Sequence, residues 1–174
     1  MKRGAEPVNI VFGKAVLRVD DKLVGLTKDS AKFTVEYEYR HIEAVGDRKK
    51  VKGRTVKEQA IPKIEFTHLE LLSGFDTLHP GVTVDKTTKA GYTVIKGRPL
   101  DEEKDYHKIE IEGETKDGRE CKCIIDQAIN LENIDLEWKD KDDVVDKVIF
   151  EGVEDEESEN DDDEGWTIQY KGGK

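Results

Sequence analysis

Residues 32–40 alternate without a break. Phe33, Val35, Tyr37 and Tyr39 face one way; Lys32, Thr34, Glu36, Glu38 and Arg40 face the other. A period of two puts apolar side chains on one side of a pleated strand and polar ones on the other, a spacing that no amphipathic helix satisfies. The phase slips at His41-Ile42, which marks a bulge or the exit of the strand. Earlier in the chain, residues 14–20 set Ala15, Leu17 and Val19 on one face. Asp20-Asp21-Lys22 is turn-like, and Leu23-Val24-Gly25 starts a return strand.

The same grammar continues downstream. Ala60, Pro62, Ile64 and Phe66 share a strand face. Proline donates nothing to a ladder, so this strand is expected at an edge or locally distorted. Thr67-His68-Leu69-Glu70 fits a capping box, and with Leu71, Leu72 and a stop at Gly74 it predicts one short helix. Leu78-His79-Pro80-Gly81 turns the chain. Residues 82–84 and 92–95 are short strands, and residues 106–114 and 119–125 flank the hairpin signal Asp117-Gly118. Cys121, Cys123 and Ile125 hold odd positions while Ile134, Leu136 and Trp138 hold even ones, so a bulge or bend is expected near residues 130–133. Residues 144–150 form a further strand. Trp166, Ile168 and Tyr170 alternate in a half-buried terminal strand at 165–171. These elements predict a mainly β fold: a β-sandwich or barrel of eight to ten strands, with one short flanking helix and long polar loops. At 174 residues, a single domain spanning 1–174 is expected.

Charge is distributed unevenly along this frame. Residues 151–164 hold ten carboxylates and no Lys or Arg, against a formal net charge of −11 for the chain. The remainder is therefore almost neutral. The run is expected to be a solvated loop tied down by the last strand. Residues 46–57 form its counterpart, a basic excursion read as a long, mobile loop, with Arg48, Lys49, Lys50, Lys52, Arg54 and Lys57 against Asp47. The acidic balance argues against a nucleic-acid grip by the surface as a whole. No apolar run reaches membrane-spanning length, and no apolar core follows Met1-Lys2-Arg3-Gly4, so neither a membrane segment nor a signal peptide is expected. Cys121 and Cys123, at i and i+2, point to one face and are poorly placed for a mutual disulfide, which suits folding in cytoplasm.

Catalytic patterns are missing. The chain holds no phosphate-binding loop, dinucleotide fingerprint, nucleophile elbow or zincin motif. His41, His68, His79 and His107 are scattered, without ligand spacing, and read as surface or interface residues. Asp161-Asp162-Asp163-Glu164 lacks the spacing of a calcium loop. No catalytic residue, metal or cofactor is expected. Trp138 and Trp166 read as core or interface aromatics, with a ligand platform as the alternative.

The order of elements resembles the major tail tube proteins of long-tailed bacteriophages, particularly those infecting Gram-positive bacteria. The resemblance is carried by the opening hairpin, with Phe12-Gly13-Lys14-Ala15-Val16-Leu17 and its return Leu23-Val24-Gly25-Leu26-Thr27. It continues through the long strand from Lys32, the polar loop at 46–57, Leu69-Glu70-Leu71-Leu72 and its Leu78-His79-Pro80-Gly81 exit. It closes on Val148-Ile149-Phe150-Glu151-Gly152, the acidic stretch and Gly165-Trp166-Thr167-Ile168. The resemblance implies a subunit that self-assembles into hexameric rings stacked as a tube. Such a tube surrounds the tape measure protein, meets tail terminator and tail-tip proteins, and later conducts DNA as non-specific cargo, with no membrane partner. It implies a place in the virion tail after folding and assembly in the bacterial host cytoplasm.

Two oppositely charged loops on one molecule are complementary surfaces for head-to-tail contact between copies. The expected interface residues are Arg48, Lys49, Lys50, Lys52 and Arg54 on one side, and Glu154, Asp155, Glu156, Glu157, Asp161, Asp162 and Asp163 on the other. The alternatives are a monomeric β-sandwich binding module using Trp138 or Trp166, and the tube of a contractile secretion or bacteriocin system.

Overall fold

The computed structural model describes residues 11–25, 27–70, 74–138, 140, 142–154 and 164–172. Along them run β1 (Val11–Val19), β2 (Lys22–Leu23), β3 (Thr27–His41), β4 (Thr55–His68), α1 (Phe75–Leu78), β5 (Val82–Asp85), β6 (Val94–Gly97), β7 (His107–Thr115), β8 (Glu120–Asn130), β9 (Asp146–Gly152) and β10 (Trp166–Tyr170). The fold is mainly β, as the alternation requires. One antiparallel sheet has the order β2-β1-β7-β8-β9-β4-β3, curled into a half-barrel, and β5 pairs with β6 separately.

β8 is the branch point of the large sheet. One of its edges pairs with β7. The other pairs with β9 through Ala128, Ile129 and Asn130, and with β10 from Trp166↔Ile125 to Tyr170↔Cys121. The chain therefore leaves this edge at Gly152 and rejoins it at Trp166. Gly152 is required where β9 crosses Pro62: a Cβ there would stand 2.5 Å from the proline Cγ.

The concave face holds the core. Leu17 and Val19, Ile64 and Phe66, Ile109, Ile125 and Ala128, and Val148 and Phe150 meet there, with Leu78 of α1. Phe66 and Phe150 stack at 6.5 Å. The opening hairpin turns on Asp20 and Asp21, both at positive φ, 48° and 62°. That is the conformation a two-residue turn needs to match the twist of its strands.

Several expectations change in detail. Thr67 and His68 do not start a helix. They are the end of β4, paired with Lys28 and Thr27 on one side and with Lys147 and Asp146 on the other. Two ladders outweigh a capping box. The helix follows Gly74 instead of ending at it, and is four residues long; Leu71 and Leu72 lie outside the described residues. The phase change in β8 comes early: Ile109 faces Ile125 but His107 faces Ala128, so one extra residue of β8 is accommodated at 126–127. Beyond Asn130, residues 131–138 belong to no ladder among the described residues. Pro62 stands where the β4–β9 ladder ends, at Lys63↔Glu151. Its missing donor falls at a local edge.

Candidate interaction surface

β3 and β4 continue past the core as a two-stranded arm. From residue 36 to residue 59 every side chain is exposed except His41 and Arg54, which are partly so. The register explains the reach, because twelve β3 residues from Thr27 to His41 pair with β4. The loop runs over 42–54, so Thr55, Val56 and Lys57 are strand residues. It is internally braced. Ile42 N–H donates to Arg54 O at 2.8 Å. Asp47 accepts from Ala44 N–H at 2.8 Å and from Arg54 Nη1 at 2.7 Å. The arm also exposes Tyr37, Tyr39, Ile42, Val45 and Val56, and Lys57 lies over the Tyr37 ring, 5.3 Å from its centroid.

The predicted interface residues separate. Arg48, Lys49, Lys50 and Lys52 are exposed and have no ion-pair partner among the described residues. Arg54 is engaged by Asp47. Glu154 is exposed just past β9. Asp155, Glu156, Glu157, Asp161, Asp162 and Asp163 lie outside the described residues. The far end of the acidic run meets the arm within one molecule: Glu164 contacts Lys57 and accepts from Trp166 Nε1 at 3.1 Å. Trp166 packs against Phe33 at 6.1 Å. Ile168 and Tyr170 are exposed, so β10 is half-buried only at Trp166.

A second exposed apolar surface surrounds Trp138, of which the sequence singles out the tryptophan alone. Leu131, Ile134 and Trp138 are 63%, 49% and 75% exposed. Residues 133–136 make no backbone–backbone hydrogen bond among the described residues. Glu132, Asp135 and Asp140 surround them and have no ion-pair partner among the described residues. The even-position alternation of Ile134, Leu136 and Trp138 was the signal, but it pointed to a strand inside the chain.

Buried polar groups belong to the scaffold. His68 and His79 are fully buried, which corrects the surface reading. Asn130 Oδ1 accepts from the N–H groups of Glu132 and Ile149, so its Nδ2 must face Leu78 O at 2.7 Å and His79 Nδ1 at 3.3 Å. Nδ1 of His79 is thus the acceptor, and its Nε2 donates to Asp146 Oδ2 at 2.6 Å. Both side chains of this His–Asp pair are almost wholly inaccessible. Among the described residues His68 has no hydrogen-bond partner on either nitrogen, and burial, opposed by Asp146 and Glu70, pushes its pKa down. Asp105 is the opposite case. Burial opposes its charge, but the Arg98 guanidinium and the N–H groups of Asp101 and Gly81 hold its carboxyl below the usual range.

No protein-family model and no curated protein sequence matches this chain.

On the convex face of β1, β7 and β8, Arg18 and Lys122 are shared between Glu110 and Glu112, and Lys122 also holds Glu120 at 2.9 Å. A cleft of about 240 Å³ over β3, β4 and β9 is lined by Lys63 among others and closed on one side by Leu131 and Glu132. Lys63 donates to Glu36 at 2.9 Å and lies 3.4 Å from Glu151. The Glu36 hydrogen bond, ahead of Glu151, raises its pKa. Cys121 and Cys123 are free thiols, and burial pushes Cys123 up, away from a reactive thiolate. Among the described residues no group of His, Cys, Asp or Glu is arranged to hold a metal, and no helix is long and apolar enough to cross a membrane.

Proposed function

We propose that this chain is a self-assembling structural subunit of a phage tail tube, forming stacked hexameric rings around the tape measure protein and later passing DNA. The observation that carries the reading is the β3–β4 arm. It extends beyond its own core, exposes tyrosines and aliphatic residues beside four unpaired cations, and has no ladder partner on the outer side of β3 among the described residues. An exposed edge of this length is a liability in a protein that stays alone. In an assembling subunit it is a joining surface, because pairing satisfies its backbone groups and packing covers its apolar ones. Among the described residues the half-barrel sheet ends at β2 and at β3, which leaves room for strands from neighbours. The resemblance in element order points the same way, and supports placing the protein in the virion tail.

The test is a variant with Arg48, Lys49, Lys50 and Lys52 all changed to Gln. The circular dichroism spectrum and unfolding midpoint are expected to match wild type while formation of regular assemblies is impaired. Normal assemblies from the variant would contradict the assigned role of the arm. A monomeric binding module is the second reading, and the exposure of Trp138 favours it. That reading expects a stable monomer at all concentrations.

A further inference from the structure

Leu131 and Glu132 border the cleft over β3, β4 and β9 of their own molecule, and the residues after them, 133–138, have the sequence of a strand without a ladder among the described residues. Ile134, Leu136 and Trp138 alternate with Asp135 and Glu137, yet no ladder includes them among the described residues. Ile134 and Trp138 lie open to water. Disagreement between a local pattern and its surroundings marks a segment whose partner lies elsewhere.

The arm has the complementary features. β3 is unpaired along its outer edge among the described residues, its exposed side chains include Tyr37 and Tyr39, and it leads to Arg48, Lys49, Lys50 and Lys52. The segment offers apolar residues with Glu132, Asp135 and Asp140. Lengths agree as well: at about 3.3 Å per residue, eight extended residues cover about 26 Å, enough to follow the outer edge of β3 past residues 36–41 towards the loop.

We infer that residues 131–138 pair as an added strand with the arm of a second copy of this chain, with Glu132, Asp135 and Asp140 against its Lys49, Lys50 and Lys52. This inference rests on the self-assembly reading and deepens it by naming the surface that receives the arm. It also moves the acidic partner away from the 151–164 run, whose far end already contacts Lys57 in the same molecule. The added strand would satisfy backbone groups on both sides, and the charges would set register more than affinity.

Amide hydrogen exchange on wild-type protein, as dilute subunit and as sedimented assembly, tests it. Peptides covering 131–138 and 36–41 are expected to slow together on assembly, by about tenfold or more. Assemblies in which 131–138 exchanges as in the subunit would overturn the inference and leave self-assembly standing. Absence of assembly at every concentration would overturn both. A charge swap gives a second measurement. Glu132→Lys with Asp135→Lys and Asp140→Lys, and separately Lys49→Glu with Lys50→Glu and Lys52→Glu, should each assemble poorly, while an equimolar mixture recovers. A mixture that assembles no better than either variant alone would overturn the pairing.

Discussion

Asn130 shows how much one buried residue can decide. Its amide joins the end of α1, the end of β8 and the middle of β9, and it fixes which nitrogen of His79 donates its hydrogen bond to Asp146. Asn130→Ala leaves several buried groups unpaired and is expected to lower stability by about 3 kcal/mol in urea unfolding. An unchanged midpoint would contradict this role. His68 contributes to the response to mild acid. Its pKa is lower in the folded protein than the ordinary 6.5, so the unfolded chain takes up protons first as the pH falls. The stability linked to His68 is therefore complete above pH 6.5 and is lost as the pH drops through the folded-state pKa. The carboxyl of Asp105 is also depressed, from an ordinary 3.8, and its contribution is lost only in a more acidic window. Unfolding midpoints measured across pH should begin to fall near 6.5, and His68→Leu should flatten that first decline. A midpoint in wild type that stays constant down to pH 4.5 would refute the assignment. At Gly152 the constraint is space: Gly152→Ala forces its Cβ into Pro62 and is expected to cost about 1–3 kcal/mol, read from the same unfolding curves.

Among the elements, the arm separates folding from assembly. Its residues lie outside the core cluster, so changes at its tip should hardly move the unfolding midpoint. Asp47→Ala is the informative case. It makes the arm more positive but removes the brace between Ala44 and Arg54. Assembly measured by sedimentation is expected to weaken, with stability within about 0.5 kcal/mol of wild type, the usual range for a surface change. Stronger assembly would mean that net charge matters more than the shape of the tip. Alternation made the strands legible, including the turn at Asp20-Asp21 and the hairpin at Asp117-Gly118. What stayed hidden was set by contacts distant in sequence. Thr67 and His68 carry a capping pattern but lie between two ladders. The extra residue in β8 emerges only when Ile109 and His107 are counted against it. The histidines looked scattered because sequence distance conceals that β4, α1 and β9 bring His68, His79 and Asp146 together. The basic residues of the arm were legible as a charged loop. The surface at 131–138 was legible as a strand, but that it joins no ladder among the described residues was not.

At the scale of the whole molecule, the half-barrel has a filled core, and among the described residues its edge strands β2 and β3 each pair on one side only. Cohesion between copies is expected from strand pairing and covered apolar surface, and register from opposite charges. The charged part should weaken with salt, since screening shortens from about 10 Å at 0.1 M to about 3 Å at 1 M. Assembly followed by light scattering should therefore need more protein at high salt, whereas assembly promoted by salt would point to apolar contacts alone. The most direct test of the central claim is negative-stain electron microscopy of the purified protein over a concentration series, with tail-tip proteins added in a parallel set to supply a nucleus. The account predicts rings or hollow tubes that grow with concentration. A protein that remains a single subunit throughout, with the tail-tip proteins present, would contradict it.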